Sequence, residues 1–247
     1  MKFAFYFLII YTLISCKTET RLEKREPLLQ DTIVKAVSKK IIKPISELEK
    51  RLIAAKLINI KTLDSTILVE LKYSTTDNFM GIDLYGDLEN AYLQPDVADK
   101  ILKAQSLLKR IDSAKTLLIY DAVRPKYIQQ KMWDALKMPF QEKIKFLSNP
   151  KMHSIHNYGA AVDLTIAGLD KKALDMGTPY DYIGVLAHPT KEQQLRREGK
   201  LTIQQIKNRK LLRKVMRHGG FFNIQTEWWH FNSCIKIVAK QRYRLIE

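Results

Sequence analysis

Apolar residues recur along this chain with two different periods, and together these periods predict a mixture of helices and strands. Between residues 96 and 111, apolar side chains return every three or four positions, as they do on one face of a helix. The residues of this stripe are Val97, Ile101, Ala104, Leu108 and Ile111. Because such a stripe packs against a core, it predicts an amphipathic helix with these side chains buried.

Three further helices are predicted from capping residues and helical periodicity. Residues 46–49 have the pattern of a capping box with Ser46 as the N-cap, which predicts a short helix over about residues 46–57. Residues 127–137 and 202–217 have helical patterns as well.

Four strands are predicted from alternating and β-branched segments. They cover residues 66–73, 116–123 and 161–167, with a last strand expected within residues 226–239. The order of helices and strands is neither a regular βαβ alternation nor an all-helical pattern. It predicts an α+β fold, with a small, mostly antiparallel sheet flanked by helices.

The first 16 residues have the features of a bacterial export signal. A basic start is followed by an apolar run over residues 3–14, which is too short to span a membrane as a mature helix. Residues 13–16 resemble a lipobox, in which Cys16 is lipidated and becomes the mature N-terminus; a plain signal peptide with an incidental cysteine is the alternative. The protein is therefore expected in the cell envelope, anchored by lipid on the periplasmic side of a membrane.

The chain after the signal is predicted to divide into a linker and one domain. Residues 17–57 read as a basic linker that ends in the short helix, and residues 58–247 as the domain, whose length is sufficient for a core. If Cys16 carries lipid, the other cysteine, Cys234, has no partner. It is expected as a buried, small apolar residue in a β-rich stretch over residues 231–239.

The formal net charge of +16 raises the question of an anionic partner. The lysines and arginines are scattered, and no nucleic-acid recognition motif accompanies them, so no nucleic acid is expected as a partner. A cationic envelope protein close to anionic lipid or cell wall fits the charge equally well, and so does a merely solvated surface.

Two short segments supply the residues of a candidate metal site. His156 and Asp163 lie in the first segment, and in the second His230 follows Glu227 by three positions. Two imidazoles, one carboxylate and a spare carboxylate are the set found in catalytic zinc sites that keep one position open for water. Taken singly, His156 fits a hydrogen-bonded loop residue equally well, and Asp163 fits a turn residue.

Arg124 stands at the exit of the strand predicted over residues 116–123, directly before Pro125. One interpretation is a surface salt bridge with Asp121. The other is a clamp for an oxyanion or a carboxylate, because a guanidinium is always charged and its donors form a fork. The sequence pattern leaves both interpretations open.

Five blocks of residues, in a fixed order, together form a signature. Two of them contain the candidate metal site: Ser154-x-His156-x-x-Gly159-x-Ala161-x-Asp163 and Glu227-Trp228-Trp229-His230. The other three are Tyr73-Ser74-Thr75-x-x-Asn78-Phe79-x-Gly81, Asp121-x-x-Arg124-Pro125 and Met176-Gly177-x-x-Tyr180-Asp181. This signature resembles that of the D-alanyl-D-alanine dipeptidases, the VanX-like branch of the D,D-peptidase and Hedgehog-type zinc peptidases of family M15. The resemblance covers roughly residues 60–235.

The resemblance implies a small α+β domain with zinc on an antiparallel sheet, in agreement with the predicted elements. It implies one zinc ion per chain and hydrolysis of the D-alanyl-D-alanine dipeptide to two D-alanines, linked to peptidoglycan metabolism. The residues to which it gives roles are the zinc ligands His156, Asp163 and His230, the general base Glu227, the transition-state clamp Arg124, and the dipeptide-binding residues Tyr73, Ser154 and Asp181. The predicted signal and linker depart from the family's usual cytoplasmic setting.

Two other functions remain open at this point. A D,D-carboxypeptidase or endopeptidase that acts on cell-wall peptides would use the same metal site with a more open pocket for the amine. A non-catalytic binding module is the second alternative, and the complete set of ligands and base argues against it.

Overall fold

The computed structural model describes residues 45–247, except for the side chains of residues 145 and 146. The predicted signal, the lipidation site Cys16 and residues 17–44 of the linker lie outside this range, and the predicted domain boundaries stay predictions. Within the described part of the chain, no helix is long and apolar enough to cross a membrane.

Short strands and helices of very different length follow one another along the chain. The helices are α1 (Glu47–Ala54), α2 (Ile60–Leu63), α3 (Pro95–Ile111), α4 (Lys126–Ala135), α5 (Phe140–Phe146), α6 (Glu192–Arg197), α7 (Ile203–His218) and α8 (Lys236–Arg242). The strands are β1 (Ile58–Asn59), β2 (Leu68–Val69), β3 (Tyr92–Leu93), β4 (Thr116–Asp121), β5 (Ala161–Ala167), β6 (Phe222–Asn223) and β7 (His230–Asn232). The 3₁₀ turns Lys72–Ser74 and Ile155–Tyr158 also matter for the site.

The main sheet among the described residues has the strand order β2-β4-β5-β7-β6. β2 runs parallel to β4, whereas the other three neighbouring pairs are antiparallel. β1 and β3 form a separate antiparallel pair. The predicted α+β fold with a small, mostly antiparallel sheet is confirmed.

Helix α3 covers the sheet at its centre. Every residue of β4 and β5 is buried, and α3 packs against both β4 and α7. The two helices approach closely at Gly219, where a Cβ atom would lie only 2.4 Å from the carbonyl oxygen of Lys100. Only glycine therefore fits where α7 ends against α3.

Helix α1 belongs to the same core as the sheet. Ser46 Oγ accepts the N–H of Glu49 at 3.1 Å, which confirms the predicted N-cap. Glu49 does not complete a capping box, because its carboxylate accepts hydrogen bonds from Asn90 at 2.8 Å and from the Tyr92 hydroxyl at 2.7 Å. Leu52 of α1 is fully buried in the main core. The buried Glu49 thus joins α1 to the segment around β3.

The strand predicted over residues 66–73 is too long, and the β-rich stretch expected over residues 231–239 is wrong. Only residues Leu68–Val69 of the segment 66–73 form a strand, since the chain then leaves the sheet edge in the 3₁₀ turn that carries Tyr73. The last strand, β7, lies within the segment 226–239 as predicted, but it ends at Asn232 and helix α8 follows it, so the stretch 231–239 is mostly helical. Cys234 is half-buried rather than buried, because it lies in the connection between them.

The predicted burial of the apolar stripe on α3 is correct except at its end. Val97, Ile101, Ala104 and Leu108 are fully buried, but Ile111 is 42% exposed. Ile111 is the last residue of the helix, where the neighbouring elements no longer cover it.

The substitutions Ile101→Ala and Ile111→Ala make the same chemical change at two positions of α3 that differ in burial. We expect Ile101→Ala to lower the free energy of unfolding by about 2–5 kcal/mol, because it removes buried methyl groups and leaves a cavity. We expect Ile111→Ala to cost less than about 1 kcal/mol. Urea unfolding followed by circular dichroism measures both values, and equal costs would contradict this packing.

Candidate active site

Strand pairing brings residues that are distant in sequence onto one row of the sheet. Asp163 of β5 lies directly opposite His230 of β7, and Asp121 of β4 lies opposite Asp163 on the other side. Residues directly opposite each other in an antiparallel pair point to the same face of the sheet. Pairing alone therefore places a carboxylate beside an imidazole 67 residues further along the chain.

His156 reaches the same place from the 3₁₀ turn Ile155–Tyr158, which immediately precedes β5. A capping box closes the start of the turn: Ser154 Oγ accepts the N–H of His156 at 3.3 Å, and the Asn157 side chain accepts the N–H of Ser154 at 2.6 Å. Gly159 ends the turn with a φ of 63°, in the left-handed region that favours glycine. This glycine lets the chain pass directly from the turn into the buried strand.

Three side-chain atoms converge at this point: Nε2 of His156, Nδ1 of His230 and Oδ1 of Asp163. The two ring nitrogens are 3.1 Å apart, and the carboxylate oxygen lies 3.4 Å from the His156 nitrogen and 2.9 Å from the His230 nitrogen. Ligands that lie about 2.0–2.1 Å from a tetrahedral zinc ion are separated from one another by roughly 3.3 Å. The triangle of atoms has the size that one such ion requires.

When the two rings are neutral, hydrogen bonds on their far sides leave the converging nitrogens without a hydrogen. His156 Nδ1 lies 2.6 Å from the carbonyl oxygen of Ala122, which can only accept, so Nδ1 carries the ring hydrogen. Nε2 of His230 is similarly placed to donate to Oδ1 of Asn232, at 3.0 Å. Two ring lone pairs and a carboxylate therefore face one another, an arrangement that is stable only with a proton or a metal cation between them. Nitrogen and oxygen donors of this kind fit a borderline divalent metal.

Tyr180 fixes the second oxygen of the aspartate. Its hydroxyl donates to Oδ2 of Asp163 at 3.0 Å, which turns Oδ1 towards the two histidines. The Tyr180 ring packs edge-on against Trp229, with ring centroids 5.5 Å apart. The carboxylate is thus held from behind by a residue that is itself fixed in the core.

The charge of this cluster changes the pKa values of its members. Burial alone would raise the pKa of Asp163, but the two histidines outweigh burial and hold this pKa well below its usual range. Burial disfavours a charged His230, yet the hydrogen bond to Asp163 and the nearby Glu227 raise the pKa of His230 to about 9. The lowered pKa of Asp163 and the raised pKa of His230 have the same cause: opposite charges in the cluster stabilise each other.

Arg124 follows β4 and is held rigidly beside the cluster. Its Nε and Nη2 donate to Oδ2 of Asp121, and its Nη1 donates to Gln129 at 3.2 Å. Its Nη2 also lies 3.8 Å from Oδ2 of Asp163. The salt bridge with Asp121 does form, but it is buried and not on the surface, since both side chains are almost inaccessible. The N–H groups that these partners leave free remain available to a ligand.

Asp181 and Tyr73 form a second polar group. The Tyr73 hydroxyl donates to Oδ2 of Asp181 at 2.9 Å. Asp181 has a φ of 58°, a backbone conformation that is uncommon outside glycine and often marks a functional position. Burial raises the pKa of the Asp181 carboxyl well above its usual range, and the charge of Asp163 adds to this shift. A cationic partner would stabilise the charged form of Asp181.

Glu227 lies beside the cluster and lines the same cavity. Within residues 45–247, no hydrogen bond or ion pair engages this carboxylate. Burial raises the pKa of the Glu227 carboxyl, although the nearby His230 opposes the shift. The next two residues, Trp228 and Trp229, are buried with perpendicular rings, and Trp228 Nε1 donates to Thr178 at 2.7 Å. These anchors fix the segment that carries both Glu227 and His230.

All eight residues to which the family resemblance assigns roles line one cavity of about 300 Å³. They are Tyr73, Arg124, Ser154, His156, Asp163, Asp181, Glu227 and His230. Ser154 caps the 3₁₀ turn Ile155–Tyr158 and also lines the cavity.

Four other residues of the site were not predicted. Tyr180 holds Asp163, Asn232 holds His230, Gln129 holds Arg124, and Lys236 lines the cavity. A sequence signal existed for Asn232, which follows His230 by two positions on a strand and therefore lies on the same face. Tyr180 stands next to Asp181 in one of the five blocks. For Gln129 and Lys236 no signal was present, because only tertiary packing brings them to the cavity.

Comparison with known proteins agrees with this geometry. A family model described as D-Ala-D-Ala dipeptidase, Peptidase_M15, matches residues 53–246. A D-alanyl-D-alanine dipeptidase of Escherichia coli K12 is 30% identical over 179 residues, covering 71% of this chain and 83% of the relative. One from Enterococcus faecium is 27% identical over 177 residues, covering 66% of this chain and 83% of the relative.

Among solved structures, the LD-carboxypeptidase LdcB aligns over 63% of this chain and 83% of its own, with 13% identity and a TM-score of 0.32. The family model matches residues 53–246, a range that spans most of the chain and contains every residue of the site. The chain therefore belongs to the D-alanyl-D-alanine dipeptidase family of M15 peptidases.

Proposed function

We propose that this protein is a zinc-dependent dipeptidase that hydrolyses D-alanyl-D-alanine to two D-alanines in peptidoglycan metabolism. The observation that supports this most strongly is the convergence of two histidines and an aspartate beside the carboxylate of Glu227, in a cavity of about 300 Å³. Membership of a peptidase family whose relatives are named for this dipeptide supports the same reaction.

The ion would be held by Nε2 of His156, Nδ1 of His230 and Oδ1 of Asp163. When bound, zinc supplies a Lewis acid that lowers the pKa of water to about 7 and offsets negative charge in the transition state. The hydrogen bonds behind the two rings and the carboxylate keep the three ligand atoms in place, which preserves the affinity and the geometry of such a site.

Glu227 would move the proton. Its carboxylate takes a proton from the attacking water, whose oxygen forms a bond to the carbonyl carbon of the peptide. The same proton passes to the amine nitrogen as the carbon–nitrogen bond breaks. Burial raises the pKa of Glu227 towards the operating pH, which suits a group that must first accept and then donate a proton.

Arg124 would stabilise the negative charge that develops on the carbonyl oxygen. Its guanidinium is held in position before substrate binds, by Asp121 and Gln129, so little reorganisation is needed during the reaction. Loss of one donor of this kind typically costs about 2.7–4 kcal/mol of transition-state stabilisation.

Asp181 would bind the free ammonium group of the dipeptide, with Tyr73 fixing the carboxylate and Ser154 offering a further polar contact. An acylated amine carries no charge, so a substrate extended at that end would leave Asp181 without its partner in a poorly solvated place. This difference would favour a free dipeptide over a longer peptide.

Export to the cell envelope and lipidation of Cys16 complete the proposal. The basis is the N-terminal sequence, with its apolar run and lipobox-like residues. An enzyme in that location would act on dipeptide released during peptidoglycan turnover, with no nucleic acid among its partners.

A D,D-carboxypeptidase that acts on longer wall peptides is the second candidate, and one observation favours it. An apolar groove of about 540 Å³, lined by Ile183 and Val185 among others, adjoins the catalytic cavity and shares Asp181, Glu227 and Trp229 with it. A groove in this position has room for a residue that precedes the terminal dipeptide.

Removal of the metal tests the site as a whole. We expect a chelator to abolish hydrolysis of D-alanyl-D-alanine and one equivalent of zinc per chain to restore it. His156→Ala should lose both zinc and activity, whereas His218→Ala, at the exposed end of α7, should keep both. Elemental analysis and D-alanine release give the two readouts, and full activity in metal-free protein would contradict the proposal.

Glu227→Gln tests the proton-transfer step separately from metal binding. We expect kcat to fall by about 10²–10⁴, the usual contribution of a general acid–base group, while the zinc content stays at one per chain. Glu198→Gln, at an exposed position, is the matched control. Retention of the parent kcat by Glu227→Gln would exclude Glu227 as the base.

Asp181→Asn tests recognition of the free amine and separates the two candidate functions. For D-alanyl-D-alanine we expect kcat/KM to fall about ten- to a hundredfold, as for loss of a charged hydrogen bond. N-acetyl-D-alanyl-D-alanine should be a poor substrate that this change does not weaken further. A parent enzyme that prefers the acetylated substrate would instead support the carboxypeptidase.

A further inference from the structure

Lys236 is a cation that lines the catalytic cavity. It is the first residue of α8 and is half-buried. Within the described part of the chain, its ammonium group forms no hydrogen bond and no ion pair with a carboxylate. Burial and the neighbouring Lys240 both lower the pKa of Lys236, so an anion beside it would stabilise its charged form.

The backbone that presents Lys236 is fixed on both sides. Before α8, the N–H and hydroxyl of Ser233 both donate to the carbonyl oxygen of Ala160, at 3.0 and 2.7 Å. After α8, the hydroxyl of Tyr243 donates to Asp96 at 2.8 Å. The helix itself packs against the 3₁₀ turn Ile155–Tyr158, which carries His156. The position of Lys236 at the cavity is therefore built into the fold.

The charges around the cavity leave one role open. Asp163 belongs to the metal cluster, and the N–H groups of Arg124 that its protein partners leave free are assigned above to the developing oxyanion. Asp181 is available for a substrate ammonium group. A free dipeptide is a zwitterion, and its other charged end is a carboxylate that needs a cation. Lys236 is the cation that lines this cavity and, among the described residues, has no carboxylate partner.

Lys236 and Asp181 lie on different walls of the cavity. Asp181 belongs to the wall that the cavity shares with the adjoining apolar groove. Lys236 does not line that groove; its helix packs on the turn that follows Ser154. The two opposite charges thus come from different elements around one cavity, and a dipeptide bound between them would meet one charge at each end.

We propose that Lys236 binds the terminal carboxylate of the substrate and so restricts the enzyme to peptides whose C-terminus is free. This inference rests on the proposed peptidase function and narrows its substrate class. It favours a dipeptidase or a carboxypeptidase over an endopeptidase, because a peptide bond inside a cross-linked wall offers no carboxylate at this position.

The experiment compares two substrates, D-alanyl-D-alanine and its C-terminal amide, with the zinc-loaded full-length protein and three variants. For Lys236→Met we expect kcat/KM on the free acid to fall about ten- to a hundredfold, mainly through KM, as for loss of a charge-assisted hydrogen bond. The already slow hydrolysis of the amide should not change. Lys236→Arg should retain most of the activity on the acid, because it keeps a positive charge.

Lys240→Met is the matched control. Lys240 lies one helical turn further along α8 and is exposed, so its removal changes the local positive field without removing a group that lines the cavity. We expect it to leave kcat/KM on both substrates within about twofold. Thermal unfolding of each variant checks that the fold is intact.

The outcomes separate this inference from the proposed function. If the parent enzyme hydrolyses the acid but Lys236→Met affects acid and amide equally, or affects neither, the role of Lys236 is wrong and the dipeptidase stands. Equal hydrolysis of acid and amide by the parent enzyme would also overturn it. If the parent enzyme hydrolyses neither substrate, the proposed function fails as well.

Discussion

The candidate site depends on one electrostatic constraint: three electron-pair donors face one another at distances of 2.9–3.4 Å. Two ring nitrogens and a carboxylate oxygen so close together are unfavourable unless positive charge lies between them. The surrounding hydrogen bonds maintain this arrangement. Ala122 and Asn232 hold the far nitrogens of the rings, and Tyr180 holds the far oxygen of the aspartate. These hydrogen bonds orient the three donors towards a common centre, as the partners behind metal ligands usually do.

The other charged side chains of the cavity differ in how completely protein partners neutralise them. Arg124 is paired with Asp121, which fixes its orientation before any ligand arrives. Glu227, Asp181 and Lys236 are less completely paired, and they are the groups to which a proton, an ammonium and a carboxylate are matched in the proposals above. Buried or half-buried charges without strong partners are costly. Their persistence around one small cavity is most simply explained by partners that the substrate supplies.

Much of the fold and the site follows from the sequence, for identifiable physical reasons. Strand β5 is long and apolar and follows a left-handed glycine, so its limits were predictable. The antiparallel pairing of β5 with β7 then places Asp163 opposite His230. The segment 66–73 was harder, because it pairs with β4 over two residues only and then turns away. Ile111 belongs to the apolar stripe of α3, but it is the last residue of the helix and lies beyond the part that other elements cover. Periodicity gives no information about where loops and helix starts lie in the folded protein. It is this tertiary placement that brings Tyr180, Gln129 and Lys236 to the site.

The most direct test of the central claim is a zinc-edge anomalous diffraction map from crystals of the purified, active protein. A single strong peak is predicted within about 2.0–2.2 Å of Nε2 of His156, Nδ1 of His230 and a carboxylate oxygen of Asp163. Active protein whose map has no peak among these three residues, or whose peak lies elsewhere, would contradict the claim that the three donors are built around one metal ion.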